Sequence, residues 1–115
     1  MTSPSVGTRQ GFNLDKAHGT IKYPTYRENV KLVANTAVSV PVPTWAAYAI
    51  FTGFGAGDFY VSYDGSDAVV PSATTTDGSG NEANPTQRFL GVGNVAALSL
   101  ISAVNNLGCI LFMHE

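Results

Sequence analysis

Between residues 36 and 63 the hydrophobic and polar positions follow the two-residue period of β-strands. Val38, Val40 and Val42 alternate with Ser39 and Pro41, and Phe59, Val61 and Tyr63 alternate with Tyr60 and Ser62. Between these stretches lies an apolar run, 47–52, holding Tyr48, Ile50 and Phe51. Pro43-Thr44-Trp45 turns the chain ahead of it, and Gly53, Gly55 and Gly57 break it behind. The pattern predicts three strands, 36–42, 47–52 and 58–63, as a meander of sequential neighbours that makes one half of a β-sandwich.

The rest of the chain is punctuated in the same way. Residues 30–34 read as a strand piece joined to the next at Asn35-Thr36, and 66–70 as a short edge strand ended by Pro71, whose missing N–H costs nothing at an edge. Residues 72–85 carry Asp77-Gly78, Ser79-Gly80 and Asn84-Pro85 and read as a long loop with room for a Thr-rich edge strand at Thr74, Thr75 and Thr76. Strands follow at 86–92 and 96–103. Asn105-Asn106-Leu107-Gly108 reads as a turn, and the apolar stretch 109–114 as the second arm of a hairpin placed in the core. The expected fold is all-β, a small antiparallel β-sandwich or jelly-roll-like barrel of seven to eight strands at spacings of roughly ten residues. Residues 1–29 show neither strand nor helical periodicity and hold Pro4, Gly7, Gly11, Gly19 and Pro24. They read as an extended N-terminal arm ahead of a sandwich domain at 30–115.

Composition changes the picture of the surface. Only 12% of the chain is charged and 44% is hydrophobic, so Ser, Thr, Asn and Gly must build most of the exterior. That suits an all-β protein whose outer face is covered by neighbours, an ordinary small sandwich with a bland surface being the alternative. The net charge of −2 is unevenly spread. Through Lys31 five cations stand against two carboxylates, and from Leu32 onward Arg88 alone stands against six. A basic arm could lie on the acidic body of another copy, setting register more than affinity, or it could be a solvated tail. Five cations without a run argue against nucleic acid as a partner. Cys109 stands alone in its apolar run, where a thiol acts as a small buried hydrophobe. The leader lacks the apolar stretch of a secretory signal and no segment is long and apolar enough to span a membrane, so a reducing cytoplasm is the expected site of synthesis and assembly.

No catalytic constellation stands out, and the expectation is that the protein is not an enzyme and holds no cofactor. His18 and His114 lie at opposite ends of the chain, and no G-x-S-x-G marks a nucleophile. The loop that starts at Asp77-Gly78-Ser79-Gly80-Asn81-Glu82 is oxygen-rich, but it has Glu82 where an EF-hand needs glycine, so an ordinary polar loop is expected over bound Ca²⁺. One cysteine and two distant histidines do not make a zinc site. Trp45, Tyr48, Tyr60 and Tyr63 could form a flat platform for sugar rings, which makes a carbohydrate-binding module the alternative from another class.

The run Ala37-Val38-Ser39-Val40-Pro41-Val42-Pro43, then Tyr48-Ala49-Ile50-Phe51, Gly57-Asp58-Phe59-Tyr60-Val61, Asn84-Pro85-Thr86-Gln87-Arg88 and Leu98-Ser99-Leu100-Ile101-Ser102-Ala103, resembles small β-sandwich structural proteins encoded in tailed bacteriophage genomes. The resemblance covers about residues 30–115. It implies a virion component, most plausibly a head decoration or cement protein that touches the major capsid protein or other virion subunits, with collar, tail or fibre components next. Members of such groups often form trimers or sit at junctions between capsid subunits, so a homo-oligomer is implied as well. In the arm, Phe12, Leu14, Ile21, Tyr23 and Tyr26, with the basic Arg9 and Arg27, are the expected partner-binding residues.

Overall fold

The structure, a computed structural model, describes residues 25–115. Eight strands appear in it: β1 (Tyr26–Leu32), β2 (Val38–Pro41), β3 (Tyr48–Gly53), β4 (Phe59–Ser62), β5 (Glu82–Ala83), β6 (Gln87–Phe89), β7 (Ala97–Ser102) and β8 (Asn106–Met113). They form two four-stranded antiparallel sheets, in the order β1-β8-β3-β6 in sheet I and β2-β7-β4-β5 in sheet II. The pairs β1·β8, β2·β7, β3·β6 and β4·β5 are nested. The described chain is thus one long double-stranded hairpin with its tip in the loop between β4 and β5, rolled so that β3 also meets β8 and β4 also meets β7. This is the jelly-roll arrangement.

The rolling corrects two strand pairings read from the sequence. The three strands from 36 to 63 are not a meander, because β2 and β4 belong to sheet II and β3 to sheet I. Likewise β7 and β8 are consecutive but lie in opposite sheets, so they form no hairpin. β8 also begins at Asn106, inside the expected turn, and β1 begins at Tyr26, four residues before the expected start of the sandwich. The cause is local. The links between sheets are held by side-chain amides together with backbone bonds, the backbone amides of Asn35 and Asn84 donating to the Ser102 and Phe59 carbonyls at 2.7 and 2.9 Å. Asn105 Oδ1 accepts from the Ala34 amide at 2.9 Å, and Asn84 Oδ1 from the Phe59 amide at 3.1 Å. Asn35, Phe54 and Asn84 take φ of 60°, 54° and 50°, left-handed conformations that suit Asn and cost a bulky residue more.

The core fills the space between the sheets. Leu98, Leu100, Val61 and Val40 of sheet II face Val30, Leu32, Ala49, Phe51, Ile110 and Phe112 of sheet I. Phe54 stacks on Phe59 with ring centres 4.5 Å apart. Burying each such side chain stabilises the fold by about 1.5–3 kcal/mol. Cys109, expected inside, is half-buried on the opposite side of β8 from Ile110 and Phe112, because strand alternation turns it outward.

Residues 66–70 are not an edge strand. They run over the outside of sheet II as a strap, with the Ala68 amide donating to Ser99 Oγ at 2.8 Å and the Val69 amide to Asn81 Oδ1 at 2.7 Å. Asp64 sets the turn that launches the strap, since its Oδ1 accepts from the Ser66 amide and hydroxyl and from the Ser62 hydroxyl. Thr74, Thr75 and Thr76 are exposed loop, and the strand of this region is instead the two-residue β5.

A Cβ placed on Gly108 would overlap the Phe54 ring, which lies over that glycine. Gly108→Ala is therefore expected to lower stability by about 1–3 kcal/mol, read as a lower urea midpoint with unchanged denaturant slope. An unchanged midpoint would show that Phe54 does not hold this position.

Candidate functional site

Two regions have features beyond those needed for folding. The first is the outer face of sheet I. β8 sends Leu107, Cys109, Leu111 and Met113 outward, beside Tyr48 and Ile50 of β3 and Phe89 of β6. Register places Leu111 beside Ile50, and Tyr48 between Met113 and Phe89. Leu107 is 66% exposed and Phe89 61%, whereas the others are half-buried. Two shallow grooves cross this face, one lined by Tyr48, Ile50, Gln87, Met113 and His114, the other by Thr52, Gly53, Leu107, Gly108 and Cys109 with Asn29. A strand with apolar residues on both sides is the pattern of one covered on both sides. Sheet II has its strap, and among the described residues sheet I has no counterpart.

The second region is the edge where β5 and β6 leave a gap between the sheets. Tyr63, just past β4, donates its hydroxyl to Glu82 Oε1 at 2.6 Å. Arg88, on the inward side of β6, donates to Glu82 Oε2 from Nε at 2.8 Å and from Nη2 at 2.6 Å, and from Nη1 to the Gln87 carbonyl at 2.6 Å. The ion pair thus joins sheet II to sheet I across the open edge. These groups, with Phe89, Leu90 and Val95, line a cleft of about 330 Å³. Burial, then the Glu82 carboxylate, pushes the Tyr63 hydroxyl well above its ordinary pKa, so it remains a donor at neutral pH. Burial raises the Glu82 carboxyl, but the hydrogen bonds from Arg88 and Tyr63 outweigh it and leave the group below its ordinary value.

Of the residues singled out in the sequence, some lie outside the described residues and the others are spread over the sandwich. Arg9, Phe12, Leu14, Ile21 and Tyr23, and with them His18, lie outside the described residues. Tyr26 packs on its own sandwich, edge-on to Trp45 at 5.4 Å and to Phe112 at 6.0 Å, so it caps the end of the core. Arg27 is exposed on β1, opposite Leu111. Trp45, Tyr48, Tyr60 and Tyr63 do not form one platform. His114 stacks on Trp45 at 4.1 Å, Tyr48 lies on sheet I, Tyr60 on sheet II, and the Tyr63 hydroxyl is committed to Glu82. The oxygen-rich loop is likewise divided: Asp77 Oδ1 caps its own turn through the Ser79 amide and hydroxyl, and Glu82 turns to Tyr63 and Arg88. Among the described residues no group of three or more His, Cys, Asp or Glu side chains could hold a metal. The pairing of Arg88 with Glu82 was missed in the sequence, although the one cation after Lys31 was the signal for it.

Because Glu82 titrates below its unfolded value, the clamp contributes in full above the ordinary Glu range and is lost as pH falls through the folded value. Asp64, held down to about 2 by the Ser66 hydroxyl and amide and then by the Ser62 hydroxyl, acts with the same sign. The urea midpoint is expected to hold between about pH 7 and pH 5 and to fall below that, with a shallower fall in Glu82→Gln. Parallel curves for the two proteins would remove the clamp as a source of the effect. Comparison of the chain with known proteins finds no matching family model, no matching curated protein and no matching solved structure.

Proposed function

We propose that this protein is a structural subunit of a bacteriophage virion, a decoration or cement protein of the head that bridges neighbouring capsid subunits. The reading rests on one observation above all, the outer face of sheet I, apolar along every outward position of β8 and continued by Ile50, Tyr48 and Phe89. Such a face is a place for another polypeptide. The low charge of the chain, the jelly-roll order of its strands and the sequence resemblance to phage β-sandwich proteins support the same reading.

Magnitude decides what kind of assembly this is. Four strands about 4.8 Å apart and about six residues long give a face of roughly 19 by 20 Å, or some 400 Å². One partner of a stable standard interface buries about 800 Å². A single such face holds weakly, and it gains strength when many copies dock on one lattice or when the basic leading segment adds a second contact. The partners are then capsid subunits and further copies of this chain.

The test is incorporation into particles that lack the protein. Leu107→Glu puts a charge on the exposed face at little cost to folding and is expected to reduce binding about tenfold or more, whereas Ser39→Glu on the exposed side of β2 leaves it unchanged. A chain beginning at Thr25 keeps all eight strands, while one beginning at Val30 loses four of the seven residues of β1. The Thr25 form is expected to fold and to bind more weakly. Equal binding by wild type, Leu107→Glu and the shortened chain would overturn the proposal.

A further inference from the structure

The cleft at the β5/β6 edge has hydrogen-bonding capacity left over, and from it we infer that the cleft is a binding site for an uncharged, polyhydroxylated ligand such as one saccharide ring. The inference rests on the inventory of donors and acceptors and is independent of the assembly role proposed above.

A guanidinium carries five N–H groups. Three of those on Arg88 are engaged, two with Glu82 Oε2 and one with the Gln87 carbonyl, leaving two donors. Glu82 Oε1 receives the Tyr63 hydroxyl and keeps a lone pair, and the Tyr63 oxygen keeps its own acceptor sites. The cleft therefore offers donors and acceptors side by side, which is what a row of hydroxyls requires, since each hydroxyl both donates and accepts. A ligand that only donated or only accepted would use half of them.

Charge selects further. Glu82 and Arg88 neutralise one another at 2.6 Å, so the cleft has no net charge to attract an ion. An anion reaching the two remaining Arg88 donors would meet the Glu82 carboxylate beside them, and a cation reaching Glu82 would meet the guanidinium, so neither gains a net charge partner. The remaining walls are Leu90 and Val95, an apolar floor suited to the C–H face of a sugar ring, while the Phe89 ring turns to Tyr48 on the outer side of β6. The volume of about 330 Å³ is at the small end of ligand sites, enough for one ring. Of the four aromatic residues proposed from sequence as a sugar platform, this cleft uses only Tyr63.

The test is a titration of the ¹⁵N-labelled full chain with the methyl glycosides of glucose, galactose, mannose and N-acetylglucosamine, each to about 50 mM, above the millimolar affinities such small sites reach. At least one glycoside is expected to give saturating shifts at the amides of residues 82, 88–90 and 95 and at Arg88 Nε, while sodium phosphate and sodium acetate give none there. Glu82→Gln, which keeps the shape of the side chain, is expected to weaken binding about tenfold. Leu107→Glu, on another part of the surface, should bind as the wild type does. No shift with any of the four glycosides, shifts that map elsewhere, or tighter binding of phosphate than of any sugar would overturn the inference.

Discussion

The structure depends on the register of β8, which lies between β1 and β3 at the centre of sheet I. Normally the hydrophobic alternation of a strand fixes its register, because a slip by one residue sends the apolar set to solvent. In β8 it does not, since Ile110 and Phe112 point inward while Leu107, Cys109, Leu111 and Met113 point outward. Two polar or small positions decide instead. Asn106, 4% exposed, donates to the carbonyls of Gly57 at 3.0 Å and Phe54 at 3.3 Å and accepts from the Ala56 amide at 3.2 Å. Gly108, two residues on, lies under the Phe54 ring, where a Cβ would overlap it. A slip would leave a buried amide unsatisfied and drive a side chain into that ring, costs that the gain of one leucine for another does not offset.

The same constraint explains how much of the fold could be read from the chain. Strand positions were legible wherever two-residue alternation met turn residues, as in β2, β4 and β7, because period and punctuation are local properties. Partners were not. Pro43-Thr44-Trp45 is compatible with a hairpin and with a crossing between sheets, and sequential strands usually do pair. What distinguishes the two outcomes is where the flanking amides go: the Val42 N–H to the Ala96 carbonyl beside sheet II and the Ala47 N–H to the Met113 carbonyl in sheet I, partners far away in sequence. The strap over sheet II was hidden for a related reason. Val69 and Val70 look like strand residues, yet Asn81 and Ser99 engage the backbone there before a ladder could form. At the cleft, Arg88 and Glu82 were both visible as residues, but their meeting requires strands from two different sheets.

From the register of β8 follows the asymmetry of the molecule. Both sheets carry apolar residues outward, Ile101 on β7 as well as Leu111 on β8, but Ile101 is 6% exposed in a sheet that carries its own strap, and Leu107 is 66% exposed. Among the described residues part of a long loop covers one face and nothing covers the other, so the two faces have different characters. The bare one sits on the sheet whose edge strand β1 also carries Arg27 and Lys31, while the acidic Asp64, Asp67 and Asp77 lie in the loop beyond β4, in the other sheet. In the proposed assembly this polarity would orient the subunit, because one of its described sides is apolar and the other is not.

The clamp at the opposite edge answers a weakness of the same topology. β5 has two residues and β6 three, too few for their own ladders to hold the edge of a sandwich against fraying. An exposed ion pair contributes little to stability by itself, about 0–1 kcal/mol. Its value here is geometric: Glu82 takes both Arg88 and Tyr63, so three side chains from three strands or their ends lose their freedom together. Groups already ordered for the sake of the fold cost a ligand nothing further to order. The edge that needed a brace is for that reason also a place where donors and acceptors stand fixed before anything binds, which the flat apolar face of sheet I does not offer.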